Sequence, residues 1–168
     1  MFKVPFARRA TLALAILVAM SGGACAAPPN AQACDAGQPE IAPLQPLALQ
    51  TRQGRFDFQV EYAGSPDQRE TGLMCRTVMA PDHGMLFDFD APSQGVAFWM
   101  RNTLIPLDII FIRPDGRVLS IARKAKPLDE TPLPAGGTVR GVLEVAGGRA
   151  AQIGLLPGDK VTHKIFPH

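Results

Sequence analysis

The sequence has little of the chemistry that nucleophilic enzymes and zinc proteins require. It contains three histidines, of which His83 lies in a Pro-Asp-His-Gly turn and His163 and His168 lie near the C-terminus. No serine occupies a Gly-x-Ser-x-Gly turn, which exposes the nucleophile in many hydrolases. No three or four His, Cys, Asp and Glu residues are spaced as zinc ligands usually are. The sequence therefore gives no support to a serine hydrolase or a zinc protein.

Soft metal ligands are present, but they are not organised as a copper site. An exported protein with such ligands would favour Cu(I), yet the sequence has no Met-x-Met pair and no His-rich tract. Two of the methionines fall in strand-like patterns, where methionine fills gaps in a core. We therefore favour core packing over copper and predict no metal and no cofactor, although several such residues fall close together in the sequence, namely Met74, Cys75, Met79, His83, Met85 and Met100.

The most apolar run, residues 10–20, is too short to cross a bilayer, which takes about 20 residues. Lys3, Arg8 and Arg9 precede it and small residues follow it. This order is typical of a secretory signal peptide. We predict a signal peptide over residues 1–26 and a periplasmic or secreted protein, and a retained membrane anchor is the less favoured alternative.

The end of this segment allows two interpretations. Ala24-Cys25-Ala26 fits the small-x-small rule for simple cleavage, which would remove Cys25. The alternative is a lipid anchor through Cys25, although Gly22 stands where lipoprotein signals usually carry a leucine-like residue.

A basic surface for nucleic acid is also missing once the signal is set aside. The chain has 17 basic and 15 acidic side chains, and the first 26 residues hold three of the basic ones and none of the acidic ones. The remainder thus carries 14 basic and 15 acidic side chains, a net charge of −1. We predict no nucleic-acid partner and no membrane span in the processed chain.

Two cysteines, Cys34 and Cys75, remain after either cleavage. In an oxidising compartment they would form a disulfide that ties the N-terminal tail to the domain. The alternative is two unpaired thiols.

The rest of the chain predicts one domain. Residues 27–46 are rich in Pro and Ala and read as a linker, and residues 47–168 form the domain. Residues 55–62 alternate between apolar and polar, which is typical of a half-buried strand. Ser65-Pro66-Asp67 is typical of a helix start. Further strands are predicted at residues 85–89, 96–100, 107–112, 117–122, 138–145 and 160–166, with a second short helix at residues 148–153. This pattern predicts an α+β, β-rich domain, either a strongly curled sheet or a small barrel, with two short helices.

The stretch FWMRNTLIPLDIIFI, residues 98–112, combines an apolar strand with polar residues. Pro106 separates a loop from a strand whose two faces are apolar apart from Asp108. A buried carboxylate needs partners. We expect Asp108 to accept hydrogen bonds from the loop before it, from Arg101 or from another arginine, and to lock residues 101–106.

Several long motifs, taken in order, resemble the DUF192 (UPF0127) family over roughly residues 47–166. They are ETGLMCR at 70–76, GMLFDF at 84–89, FWMRNTLIPLD at 98–108, Leu143-Glu144 with Gly147, and Gly158-Asp159 with Val161. The resemblance implies a small, β-rich and often exported protein of a class without an established activity. Members usually carry a bulky residue before the motif arginine, where this chain has Cys75.

The polar residues inside these motifs give two hypotheses. The main one is a monomeric domain that binds a small ligand or an envelope partner without catalysis, because Trp and Arg often anchor recognition sites. The rival is a hydrolase- or lyase-like enzyme in which Asp108 and Glu144 act as acid and base. A purely structural network of arginine–carboxylate pairs is the third interpretation. The ligand-binding candidates are Arg69, Arg76, Trp99, Arg101, Asn102 and Thr103.

Overall fold

A computed structural model of the chain describes Cys34 and residues 43–166. The predicted signal peptide, the lipid-anchor residue Cys25, most of the linker and His168 lie outside the described residues. Within the described part, no helix is long and apolar enough to cross a membrane.

The described residues form a β-rich domain with two short helices. The helices are α1 (Pro66–Thr71) and α2 (Arg149–Gln152). The strands are β1 (Gln45–Thr51), β2 (Gly54–Ala63), β3 (His83–Ser93), β4 (Ala97–Phe98), β5 (Leu107–Ile112), β6 (Val118–Ala125), β7 (Leu133–Pro134), β8 (Val139–Ala146) and β9 (Lys160–Thr162).

Seven of the strands form one strongly curled sheet. Its order is β6-β5-β8-β3-β2-β1-β9, and all neighbours are antiparallel except the parallel pair β2 and β3. The two edges approach each other, because the Val118 amide donates to the Asp159 carbonyl at 2.9 Å and the Val161 amide donates to the Gly116 carbonyl at 2.8 Å. The structure thus confirms the predicted curled, β-rich α+β fold, as a half-barrel.

The two faces of this sheet are both covered, and each supports its own apolar cluster. Ile110 and Ile112 of β5 lie in one cluster with Leu143, whereas Ile109 and Phe111 lie in the other with Val142. Successive side chains of a strand point to opposite faces, so a central strand that is covered on both sides is apolar throughout. The face that carries Ile109 and Phe111 is called the second face. The loop before β5 and the strand β4 pack over it and leave a pocket between them and the sheet.

Three predicted elements differ from the observed ones for local reasons. The strand predicted at 96–100 contracts to Ala97–Phe98, because the Met100 amide bonds to the carbonyl of Asp129 rather than to a strand. The predicted last strand ends at Thr162 and is followed by a turn. The polar face of β2 is not open to solvent throughout, because Glu61 is buried.

The structure pairs Cys34 with Cys75 in a disulfide that spans 41 residues of sequence. Cys75 lies at the end of the turn after α1, and its amide donates to the carbonyl of Asn102 at 2.8 Å. The disulfide therefore fixes Cys34 beside the loop that precedes β5.

Reduction of this disulfide is expected to lower the free energy of unfolding by about 3 kcal/mol, because a closed loop of this length restricts the unfolded chain. The measurement is urea unfolding with and without a reductant. The matched control is the double variant Cys34→Ser with Cys75→Ser, which should unfold identically in both conditions. Equal stability of the oxidised and reduced wild type would contradict the prediction.

Candidate functional site

A pocket of about 420 Å³ opens on the second face of the sheet. The helix α1 and the turn after it form one wall, Phe87 and Phe89 of β3 form the back, and the segment from Gly95 to Thr103 forms the opposite wall. Its volume falls in the range of small-molecule sites, about 300–1,000 Å³. The pocket is therefore the main candidate site among the described residues.

The first wall begins with a well-capped helix. The Ser65 hydroxyl accepts from the Gln68 amide, and the Gln68 side chain accepts from the Ser65 amide, which is a complete capping box. The helix ends at Gly72, whose φ is +48°. A Cβ at Gly72 would stand 3.2 Å from the ring of Phe87, so the pocket wall requires glycine here for both conformation and space.

Arg69 is fixed at the edge of the pocket by its own backbone contacts. Its guanidinium Nη1 donates to the carbonyl oxygens of Gly64 and Asp88 at 2.6 and 2.7 Å. It also lies over the ring of Phe89, 5.6 Å from the centroid, and 3.8 Å from the exposed carboxylate of Asp90. Arg69 thus has little freedom to reach a ligand and acts as a fixed positive charge.

The opposite wall presents Trp99 and Arg101. Trp99 is 48% exposed, and the Arg101 guanidinium lies 5.9 Å from its ring centroid. Within residues 43–166, no carboxylate forms an ion pair with Arg101. Arg101 is therefore a cation at the mouth that remains open to an anionic group.

Glu144 of β8 is a buried acid that lines the pocket. It is 4% exposed, and its neighbours across the sheet are Met85 and Ile109. No side chain or amide of the described residues bonds to its carboxyl group, and burial raises the pKa of Glu144 to about 8. At neutral pH Glu144 is therefore mainly the uncharged acid, which can donate a hydrogen bond into the pocket.

Asp108 lies on the other face of the sheet. In the register of β5 with β8, Asp108 pairs with Val145 and Ile109 pairs with Glu144, so the two carboxyl groups point in opposite directions. Asp108 is fully buried and accepts from the amides of Lys124, Gly148 and Ala150 at 2.7, 3.0 and 2.8 Å. The expected partners were wrong: Asp108 holds β6 and the start of α2, not an arginine or residues 101–106.

The predicted arginine–carboxylate pairs also differ. Arg76 does not line the pocket and pairs with the buried Glu61, with Nη1 and Nη2 at 2.8 and 3.1 Å from its oxygens. Neither Arg69 nor Arg76 pairs with Asp108 or Glu144. Arg69 and Arg76 are therefore held by structural contacts.

The structure brings only some of the predicted site residues together. Five of them line the pocket, namely Arg69, Trp99, Arg101, Thr103 and Glu144, whereas Arg76, Asn102 and Asp108 do not. Asn102 has a φ of +53° and shapes the loop, with its side-chain amide 3.9 Å from the sulfur of Met74. Thr103 is buried, and its hydroxyl donates to the carbonyl of Arg101 at 3.3 Å.

Sequence reasoning missed the aromatic back wall and one acidic network. Phe87 and Phe98 meet edge to face with centroids 4.9 Å apart and enclose the pocket with Phe89. Between Phe87 and Phe89, Asp88 is buried and binds Tyr62 and Arg140. A charged residue inside the apolar run GMLFDF was the signal that pointed to this network.

Among Cys34 and residues 43–166, no three His, Cys, Asp or Glu side chains are grouped so that they could hold an ion.

These features define a small half-barrel domain with one buried acid in an aromatic-walled pocket. The model of the DUF192 family, described as "Uncharacterized ACR", matches residues 48–163, and the chain belongs to this family. None of the curated proteins matches the chain.

Two crystal structures are similar to this chain. A protein of unknown function from Novosphingobium aromaticivorans is 44% identical, with a TM-score of 0.70, and the match covers 78% of this chain and 96% of that one. A protein from Sinorhizobium meliloti, described provisionally as a transcription regulator, is 42% identical with a TM-score of 0.70, and the match covers 75% and 97%. These two proteins thus share the fold of this chain, and neither description names a ligand.

Proposed function

We propose that this domain binds a small organic ligand in the pocket in front of Glu144 and does not catalyse a reaction on it. The observation that supports this most strongly is that Glu144, a residue only 4% exposed, lines an aromatic-walled cavity and has no hydrogen-bond partner for its carboxyl group among the described residues. A buried polar group that lacks a partner costs about 1–3 kcal/mol, and a ligand that bonds to it recovers part of that cost. The position of Glu144 thus favours occupancy of the pocket.

The positions of Asp108 and Glu144 argue against the rival hypothesis of an acid/base enzyme that uses both. A pair of carboxyl groups works on one substrate only when both reach it. Asp108 lies on the opposite face of the sheet with both oxygens bonded to backbone amides, so of these two carboxyl groups only that of Glu144 lies at the pocket. The raised pKa of Glu144 is the observation that keeps the enzyme as the second candidate, because such shifts are common in active sites.

Charge supports a small ligand rather than nucleic acid. Residues 27–168 carry 14 basic and 15 acidic side chains, whereas surfaces that bind nucleic acid have a clear basic excess. This composition thus gives no support to a role as a transcription regulator, the description of the Sinorhizobium protein.

We also propose that the protein works outside the cytoplasm. The disulfide between Cys34 and Cys75 supports this proposal, because disulfides persist in oxidising compartments and are rare in the cytosol. The predicted signal peptide at residues 1–26 is the other support.

A thermal-shift screen of small organic compounds tests the binding proposal. We expect some compounds to raise the melting temperature of the wild type, because a ligand of the folded state stabilises it by mass action. Ala97→Trp should remove these shifts, because Ala97 is exposed and lines the pocket, so a bulky side chain there obstructs its mouth.

The matched control is Ala151→Trp, which makes the same change at an exposed position of α2 away from the pocket. It should keep the shifts. The absence of any compound whose effect Ala97→Trp removes would overturn the proposed function. Turnover of a bound compound that Glu144→Gln abolishes would establish the enzyme instead.

A further inference from the structure

The charged groups of the pocket are distributed unevenly between its mouth and its interior. The charged side chains that line it are Arg69 and Glu70 of α1, Arg101 of the opposite wall and Glu144. Met85 and Ile109, the neighbours of Glu144 on β3 and β5, carry no charge. The pocket therefore combines two cations and the exposed Glu70 at its edge with one buried acid inside.

Arg101 and Glu70 are the charged side chains at the mouth that form no ion pair among the described residues, and Arg101 is the positive one. Arg69 is already held by two carbonyl oxygens and lies near the exposed Asp90, whereas Arg101 contacts the ring of Trp99 and has no carboxylate partner among residues 43–166. A guanidinium with five donors is suited to a carboxylate or a phosphate. An anionic group is thus the natural complement of Arg101.

The interior of the pocket favours an uncharged partner. An ammonium group placed beside Glu144 would have to lose its hydration, ionise the acid and approach two guanidinium groups. A ketone, ester or ether oxygen would accept the hydrogen bond of the uncharged acid without any of these costs. Between the two ends, Phe87, Phe89 and Phe98 offer apolar area to the body of a ligand.

We propose that the ligand is a small organic anion with an apolar body, whose anionic group binds Arg101 and whose other end accepts a hydrogen bond from Glu144. This inference rests on the proposed function and specifies the ligand class for the same pocket. It assigns Arg101 to charge selection and Glu144 to recognition of an uncharged oxygen.

A matched set of compounds tests the inference with the purified protein. The probe is para-acetylphenylacetate, which carries a carboxylate and a ketone on an aromatic body. Its methyl ester lacks the charge, para-ethylphenylacetate lacks the ketone, and para-acetylphenethylamine reverses the charge. We expect the probe to bind most tightly by calorimetry, with about a fivefold loss for either the ester or the ethyl analogue.

Two variants test which residue binds each end of the probe. Arg101→Gln should weaken binding of the probe about fivefold and leave binding of its methyl ester unchanged. The wild type should lose affinity about tenfold between pH 7 and pH 9, because ionised Glu144 no longer donates. Glu144→Gln retains a donor and should bind the probe with an affinity that does not change over this range.

The results separate this inference from the proposed function. Tighter binding of the amine, equal binding of all four compounds, or no binding of the probe overturns the ligand class. The proposed function then still stands if other compounds bind in a manner that Ala97→Trp removes, and it fails with the ligand class if none does.

Discussion

Replacing Asp108 by alanine is expected to lower the free energy of unfolding by about 4 kcal/mol, because three backbone amides lose their acceptor and each costs about 1–3 kcal/mol. The amides belong to Lys124 in β6 and to Gly148 and Ala150 at the start of α2. Gly148 has no side chain that could cap α2, so the carboxylate of Asp108 supplies the cap from β5. Urea unfolding of the variant and the wild type measures the difference.

Asp108→Asn refines this prediction. One oxygen of Asp108 accepts from Lys124 and Gly148, and the other accepts from Ala150. An asparagine oxygen can replace the first, but its NH₂ group would face the Ala150 amide, donor against donor. The free energy of unfolding should fall by about 2 kcal/mol, which is less than the loss expected for the alanine variant.

Asp57→Ala is the matched control, because Asp57 lies in β2 with an exposed side chain that pairs with the equally exposed Arg55. Exposed pairs contribute at most about 1 kcal/mol, so this variant should unfold like the wild type. An Asp108→Ala variant that unfolds like the wild type and loses ligand binding would show that Asp108 belongs to a binding site.

The sequence was sufficient to predict Asp108 as a buried anchor but not to predict its partners. Its position in a strand that is apolar on both faces revealed the burial, and burial of a carboxylate demands hydrogen bonds. The donors are backbone amides 16, 40 and 42 residues away, and backbone amides have no sequence signature. Only the tertiary fold brings them to one point.

The same limit applies to the pocket. Glu144 was predictable as a candidate because it interrupts the apolar run of β8. Which face it occupies depends on its register opposite Met85 and Ile109, and an apolar pattern without alternation does not specify that register. Glu61, the partner of Arg76, was assigned to a polar face because alternation assumes that only one face is covered.

Replacing Glu144 by glutamine is expected to make the protein more stable than the wild type at alkaline pH, by about 4 kcal/mol near pH 9. Burial raises the pKa of Glu144 from 4.5 to about 8, so the native state binds this proton more tightly than the unfolded state does. The contribution of Glu144 is therefore fully favourable below about pH 4.5 and is lost as the pH rises through about 8. Glutamine has the same shape, stays uncharged and escapes this loss.

The measurement is the difference in the free energy of unfolding between Glu144→Gln and the wild type, taken at intervals between pH 4 and pH 9. His163 acts in the opposite sense, because burial and the nearby Lys164 lower its pKa to about 4, and its contribution is lost as the pH falls below about 6.5. Both proteins contain His163, so the difference isolates Glu144. The difference in the free energy of unfolding between Glu144→Gln and the wild type should be small below pH 5 and grow steadily toward pH 8.

Glu70→Gln provides the matched control, since Glu70 lines the mouth of the same pocket but is exposed. Its difference from the wild type should not change with pH in this range, because this substitution removes an exposed side chain and leaves the buried Glu144 in place. A pH-independent difference for Glu144→Gln would mean that Glu144 is solvated in the native state. The pocket would then hold a charged carboxylate at neutral pH, and the complement of Glu144 in a ligand would be a cation rather than an uncharged oxygen.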